Sequence, residues 1–152
     1  DPPVCPQAAA AVADADVVVL GPGSWYTSVL THLRVPGMAR AIEATHAARV
    51  LVLNLTPQPG ETSGFRPETH LEVLRAQAPW LRLDAVLADP DHVPDPEALR
   101  AACAEVGARL VLAQVADDDD PGAARHDPAR LAVALRTLLA DVGAHGRMRA
   151  WR

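Results

Sequence analysis

Two short segments hold most of the residues able to do chemistry. The first, Val19-Leu20-Gly21-Pro22-Gly23-Ser24-Trp25-Tyr26-Thr27-Ser28, ends an apolar run in a glycine-rich turn and passes at once into a helical pattern, with Ser24 placed to cap it. Such a helix start offers free backbone N–H groups to an anion. The glycines let a phosphate approach the main chain, and Ser24, Thr27 and Ser28 add hydroxyl donors. An ordinary tight strand-to-helix connection would use the same residues, because the spacing is neither G-x-G-x-x-G nor a P-loop. The second segment, Asn54-Leu55-Thr56-Pro57-Gln58-Pro59-Gly60-Glu61-Thr62-Ser63-Gly64-Phe65, follows the next apolar run. Its prolines and glycines stiffen a loop at the carboxyl end of a strand, where open α/β sheets bind ligands. There the Gln58 amide, the Glu61 carboxylate and the Thr62 hydroxyl can read sugar or ribose hydroxyls, or satisfy the loop's own turns.

A third group is Arg125-His126-Asp127-Pro128. Arg125 stands just before a helix start, where a guanidinium can hold a diphosphate bidentately or pair with the acidic run Asp117–Asp120. That run precedes Pro121-Gly122 and reads as a solvated loop rather than a Mg²⁺ site, so no metal is assigned to it. His32, His46, His92 and His145 share no ligand spacing with one another or with the two cysteines, Cys5 and Cys103. No Ser/His/Asp set can be defended from sequence, since triads are defined by geometry.

The elements that must position these groups follow from hydrophobic patterning. Four runs, Asp16 to Leu20, Arg49 to Leu55, Asp84 to Ala88 and Arg109 to Val115, are near-continuous in Val and Leu and read as strands of a parallel sheet covered on both faces. Helical patterns alternate with them at Trp25 to Leu33, Met38 to His46, Pro67 to Ala78 and Pro96 to Val106. Asp95-Pro96 and Asp127-Pro128 each put a capping carboxylate before a proline at the first helical position. After Pro128, the stripe Leu131, Leu135, Leu138, Leu139 and Val142 predicts a final sheet-packing helix that ends at Gly143. The expected class is α/β: a Rossmann-like, doubly wound, mostly parallel sheet with helices on both faces.

The 152 residues, 49% of them hydrophobic, suit one domain, and the Ala/Val-rich start is interrupted by Asp14 and Asp16 before it reaches membrane-spanning length. The formal net charge of −5 leaves no broad basic surface and argues against a nucleic-acid partner, while the use of arginine for all 14 basic residues says nothing of function. The start at Asp1, without signal-peptide features, suggests a chain truncated or processed upstream, and the unpaired cysteines suggest a reducing, cytoplasmic setting.

Leu20 to Ser28 resembles the LGPGSLYTS signature of the YvcK-like family, once called gluconeogenesis factors and related in fold to 2-phospho-L-lactate transferase (CofD). Gln58-Pro59-Gly60-Glu61-Thr62 followed by Gly64-Phe65 resembles that family's QPGET segment, and Arg125-His126-Asp127-Pro128 before Leu131 resembles its RHDP element. The resemblance implies a Rossmann-like cytoplasmic protein that binds UDP-sugars such as UDP-N-acetylglucosamine and influences cell-wall synthesis, cell shape and carbon metabolism. It departs from the family at Trp25 (usually Leu), Thr56-Pro57 (usually Met-Thr) and Thr69-His70 (usually Asp-His), which leaves His70 as a polar helix-face residue. The family's N-terminal glycine-rich nucleotide loop has no counterpart here. Residues 1–142 are therefore expected to be the C-terminal part of a larger domain holding half a site, with 143–152 a loose tail.

Together, the expected ligand contacts are Gly21, Pro22, Gly23, Ser24, Tyr26, Thr27 and Ser28, then Asn54, Gln58, Gly60, Glu61 and Thr62, and finally Arg125. Phosphate-holding and hydroxyl-reading groups without a clear nucleophile or general base favour a regulatory binding protein. The alternative is a transferase in which the glycine-rich turn holds a transferred phosphoryl group and acidic residues hold Mg²⁺. Both readings are compatible with a homo-oligomer and with a protein partner in cell-wall regulation.

Overall fold

The computed structural model describes residues 2–117 and 124–149. Its sheet is wholly parallel, with strands β1 (Val17–Leu20), β2 (Ala48–Val52), β3 (Ala85–Ala88) and β4 (Arg109–Leu112) side by side in chain order. Leu20 pairs with Leu51, Val52 with Leu87 and Ala88 with Leu112, so the loops after all four strands emerge along one edge. Among the described residues, six α-helices accompany them: α1 (Pro6–Ala13), α2 (Leu30–Arg34), α3 (Pro36–Ala44), α4 (Pro67–Gln77), α5 (Pro96–Glu105) and α6 (Pro128–Arg149). A π-helical turn, Trp25–Val29, runs without a break into α2.

Strand residues alternate between two cores, as successive side chains on a strand must. Leu51, Leu53, Val86 and Ala88 join Trp25, Leu30, Ile42, Leu71, Leu74 and Leu99 from the crossover helices. Val50, Val52, Ala85 and Leu87 face the other way, onto Ala134 and Leu138 of α6. Strands laid down in one direction with right-handed crossovers place all their connecting helices on a single face, so α6 must cover the opposite one. Both faces of the sheet are therefore dry from Val50 to Val52 of β2 and throughout β3, which is why these stretches are apolar without alternation. Val19, on β1 at the end of the sheet away from β4, is 44% exposed.

The expected α/β class and both proline-led helix starts are present: Asp95 accepts from the Ala98 N–H at 3.0 Å and Asp127 from the Arg130 N–H at 2.8 Å. The boundaries differ in instructive ways. The apolar runs at 49–55 and 109–115 outlast the strands because Leu53, Leu55 and Val115 stay buried after the chain leaves the ladder. Helix α3 begins at Pro36, two residues before the expected Met38. Helix α1, which buries none of its residues, carries no amphipathic signal and was not foreseen. Helix α6 continues through Gly143 to Arg149 rather than ending in a tail, since glycine weakens a helix by only about 1 kcal/mol and does not force a stop. Ala150–Arg152 of the expected tail lie outside the described residues. No helix among the described residues is long and apolar enough to cross a membrane.

Because Leu138 is 1% exposed and α6 covers its face of the sheet, Leu138→Ala should cost about 2–5 kcal/mol of folding free energy. Val133→Ala, at a site 54% exposed on the same helix, should stay within about 0.5 kcal/mol. Chemical denaturation of both variants measures the contrast, and equal losses would mean that α6 is not anchored as described.

Candidate functional site

The glycine-rich turn is shaped by a close approach. Gly21 (φ +73°) and Gly23 (φ +155°) both lie in the backbone region that favours glycine. A Cβ on Gly21 would stand 2.7 Å from the Val52 carbonyl oxygen, so only glycine lets the turn lie against the end of β2. Asn54, just beyond β2, fastens the turn from the other side. Its Oδ1 accepts from the Gly23 N–H at 2.9 Å and its Nδ2 donates to the Gly23 carbonyl at 2.8 Å.

The two sequence segments then meet at the helix start. The Ser24 hydroxyl donates to Glu61 Oε1 at 2.6 Å, and the Tyr26 N–H donates to the same oxygen at 2.8 Å. The Thr27 N–H donates to Ser24 Oγ at 3.2 Å, and the two hydroxyls of Ser24 and Thr27 are also hydrogen-bonded. The Ser24 hydrogen bond first, then the Tyr26 amide, hold the Glu61 carboxyl below its ordinary pKa. An ionised carboxylate thus sits on the donors expected to receive a phosphate. The loop that delivers it is closed by Thr62, which is fully buried and whose hydroxyl accepts from the Gln58 N–H at 2.8 Å. The Gln58 carbonyl accepts in turn from the Glu61 and Thr62 amides, and the Gly60 N–H reaches Ser63 Oγ at 3.2 Å. Pro22, Tyr26 and Ser28 are exposed at the rim.

Arg125 lies on a different loop. Its carbonyl accepts from the Asp117 N–H at 2.8 Å, and its guanidinium, 65% exposed, stands 3.5 Å from the Asp117 carboxylate. Asp118–Asp120 of the acidic run lie outside the described residues. The neighbouring His126 turns inward instead, and its Nε2 is buried without a hydrogen-bond partner among the described residues.

A cluster that the sequence reading passed over lies beside it. Asp89, 3% exposed directly after β3, accepts from the Val115 N–H at 2.7 Å, the Ala116 N–H at 2.9 Å and the Asp91 N–H at 3.0 Å, and faces His92 Nδ1 at 3.3 Å. Burial alone would raise the pKa of Asp89, but these donors more than offset it and leave the carboxyl below its usual range. The sequence signal was a lone carboxylate followed by proline at the end of an apolar strand. His70 also departs from expectation. Rather than standing on a polar helix face it is 5% exposed, edge-on to Trp25 (centroids 4.9 Å) and Phe65 (5.2 Å), with Nδ1 3.1 Å from the Arg66 carbonyl. Among the described residues, no group of three or more His, Cys, Asp or Glu side chains is placed to hold a metal.

Burial pushes the pKa values of His70 and His126 down, so both rings are neutral in the folded protein. Unfolding releases them to protonate near the ordinary histidine value of about 6.5. Their contribution is therefore intact above that pH and is lost as pH falls toward the lower folded-state values. Denaturant midpoints measured from pH 7.5 to 5.5 should decline, and His70→Phe should flatten the decline. An unchanged slope in the variant would contradict a neutral buried His70.

Residues 1–120 match the sequence profile of the family described as 2-phospho-L-lactate transferase CofD. A candidate gluconeogenesis factor of Mycobacterium tuberculosis is 47% identical over 148 residues, covering 95% of this chain and 42% of its own length. The gluconeogenesis factor of Listeria monocytogenes is 31% identical over 144 residues, covering 88% of this chain and 44% of its own. A crystal structure of a UPF0052-family protein from Bacillus halodurans superimposes with a TM-score of 0.71 at 27% identity, over 86% of this chain and 46% of that one. The chain thus spans less than half the length of these relatives. With the glycine-rich turn and the Gln58–Thr62 segment both inside the matched region, the chain belongs to the CofD family, among the YvcK-like proteins named gluconeogenesis factors.

Proposed function

We propose that this chain supplies part of a site that binds the phosphates of a nucleotide-sugar such as UDP-N-acetylglucosamine, in a cytoplasmic regulator of cell-wall synthesis and carbon metabolism. The observation that carries the reading is the helix start after β1, where the Ser24 hydroxyl and the Tyr26 amide already hold an anionic oxygen, that of Glu61. Donors arranged to hold a carboxylate suit a phosphate oxygen equally well. Gly23 keeps its side of the turn free of a side chain, and Arg125, exposed on its loop, can swing from Asp117 to a diphosphate. The names of the relatives fit a role in carbon metabolism.

The second reading is a phosphoryl-type transferase, with the same turn holding the transferred group and acidic residues binding Mg²⁺. The ionised, buried Asp89 beside His92 and His126 favours it, because such a cluster can accept a proton from an acceptor hydroxyl.

Calorimetry with UDP-N-acetylglucosamine on the full-length protein tests the first reading. Gly23→Ala should weaken binding at least tenfold, with a stability cost of about 1–3 kcal/mol from the strained backbone. Arg125→Ala should cost about 1.5–3 kcal/mol of affinity, and Glu61→Gln should tighten binding several-fold by removing the competing charge. Wild-type affinity in the Gly23 variant would sink the phosphate role. Turnover of a nucleotide substrate would move the assignment to the transferase.

A further inference from the structure

A cavity of about 220 Å³ opens at the carboxyl ends of β2 and β3, with Asn54, Phe65, Arg66, His70 and His92 in its wall. We propose that it receives one neutral, hydroxyl-bearing ring of the ligand, and that His92 Nε2 accepts a hydrogen bond from that ring. The inference rests on the nucleotide-sugar reading for its ligand and on separate residues for its site.

Size sets the first limit. Pockets for whole drug-sized ligands run from roughly 300 to 1,000 Å³, so this cavity suits a single ring rather than a nucleotide-sugar entire. Charge sets the second. The Arg66 guanidinium pairs with Glu68 and lies 3.8 Å from Asp95, His70 is neutral, and the Asn54 amide is taken up by Gly23. The wall therefore offers a phosphate little, while its apolar members, Leu55, Phe65 and Pro94 among them, suit the face of a ring.

The hydrogen-bonding side chains that remain are the two imidazoles and the Thr56 hydroxyl, and of these the imidazoles are the ones able only to accept at a ring nitrogen. The His92 Nδ1 faces the Asp89 carboxylate at 3.3 Å, and a carboxylate partner requires the proton to reside on Nδ1. In the neutral ring the Nε2 lone pair is then left for a ligand hydroxyl or N–H. Asp89 is itself fixed by three backbone amides, so the imidazole is held in that tautomer and orientation. The second observation is His70, 5% exposed in the same wall, whose Nε2 has no hydrogen-bond partner among the described residues. Buried polar atoms are normally satisfied, and this one lies just behind the cavity wall, packed by Trp25 and Phe65, so a ligand group reaches it only with a small shift of the Phe65 ring. Asn54 joins the two halves of the argument. It lines the cavity and clamps Gly23, so a ring here lies one residue away from the turn proposed to hold the phosphates.

The test uses full-length protein with ¹⁵N-labelled histidine, titrated at millimolar concentration with uridine and, separately, with N-acetylglucosamine. One of the two should shift His92 Nε2 saturably, and which one does identifies the ring. In calorimetry, His92→Phe should weaken UDP-N-acetylglucosamine about tenfold and leave the affinity of inorganic pyrophosphate unchanged. If neither neutral ring moves His92, or if the variant weakens pyrophosphate as much as the nucleotide-sugar, the cavity proposal fails. A His92 shift in a protein that binds neither pyrophosphate nor UDP-N-acetylglucosamine would keep the cavity and discard the nucleotide-sugar reading.

Discussion

The carboxamide of Asn54 holds two loops together that the sheet alone would leave apart. β1 and β2 are neighbours through their ladder, yet the ladder ends at Leu20 and Leu51, and nothing in strand pairing dictates where the next residues go. Asn54 takes both the donor and the acceptor of Gly23, much as another strand would, and the absence of a Cβ on Gly21 lets the turn settle against Val52. With the turn fixed, the Ser24 hydroxyl and the Tyr26 amide converge on one point, and Glu61 fills it. Each later contact in the site depends on that alignment. A side chain unable both to donate and to accept at Asn54 would leave the Gly23 polar groups partly buried and unpaired, which generally costs about 1–3 kcal/mol each.

Asp89 plays the corresponding part after the neighbouring strand, on the same edge of the sheet. A carboxylate so thoroughly buried is tolerated only because backbone N–H groups surround it, two of them from the chain leaving β4. It thereby ties β3 to residues 115 and 116, and the bridge from Ala116 to His126 carries that constraint to the start of α6. Helix α6, which buries the second face of the sheet, is thus aimed by a buried charge as well as by its own apolar stripe. The two anchors, Asn54 and Asp89, lie at the ends of adjacent strands, and the cavity opens between the loops they hold.

Sequence patterning carried much of this and failed in a consistent place. Burial of both sheet faces was legible in the unbroken apolar character of Val50 to Leu53 and of Ala85 to Ala88, because only residues shielded on two sides need be apolar without alternation. The proline-led starts of α5 and α6 were legible too, since capping is a local interaction. The partnership of Ser24 with Glu61 was not, for those residues stand 37 apart and either could satisfy its own loop. Nor was the burial of His70, whose neighbour Thr69 suggested a polar helix face. Trp25 lies edge-on to that imidazole and helps to enclose it. Long-range pairings between polar side chains leave no periodic trace, so a functional edge built from them is what patterning reads least well.

The presence of Glu61 on the expected phosphate donors is best understood as competition between two anions. An internal carboxylate is held at high effective concentration and needs no association entropy, whereas an incoming phosphate must supply its own. A diphosphate, however, bears more charge and more acceptor oxygens than one carboxylate, and can engage the Thr27 hydroxyl as well as Ser24 and Tyr26. Exchange of one for the other would free the loop from Gln58 to Phe65 at its Glu61 contact while leaving its Thr62 closure intact, so the loop would pivot rather than unfold. Phe65 at the end of that loop packs against His70 in the wall of the neighbouring cavity. Glu61 at the helix start and Phe65 in the cavity wall thus belong to one short, glycine-flanked segment, so the turn and the cavity are bordered by the same piece of chain.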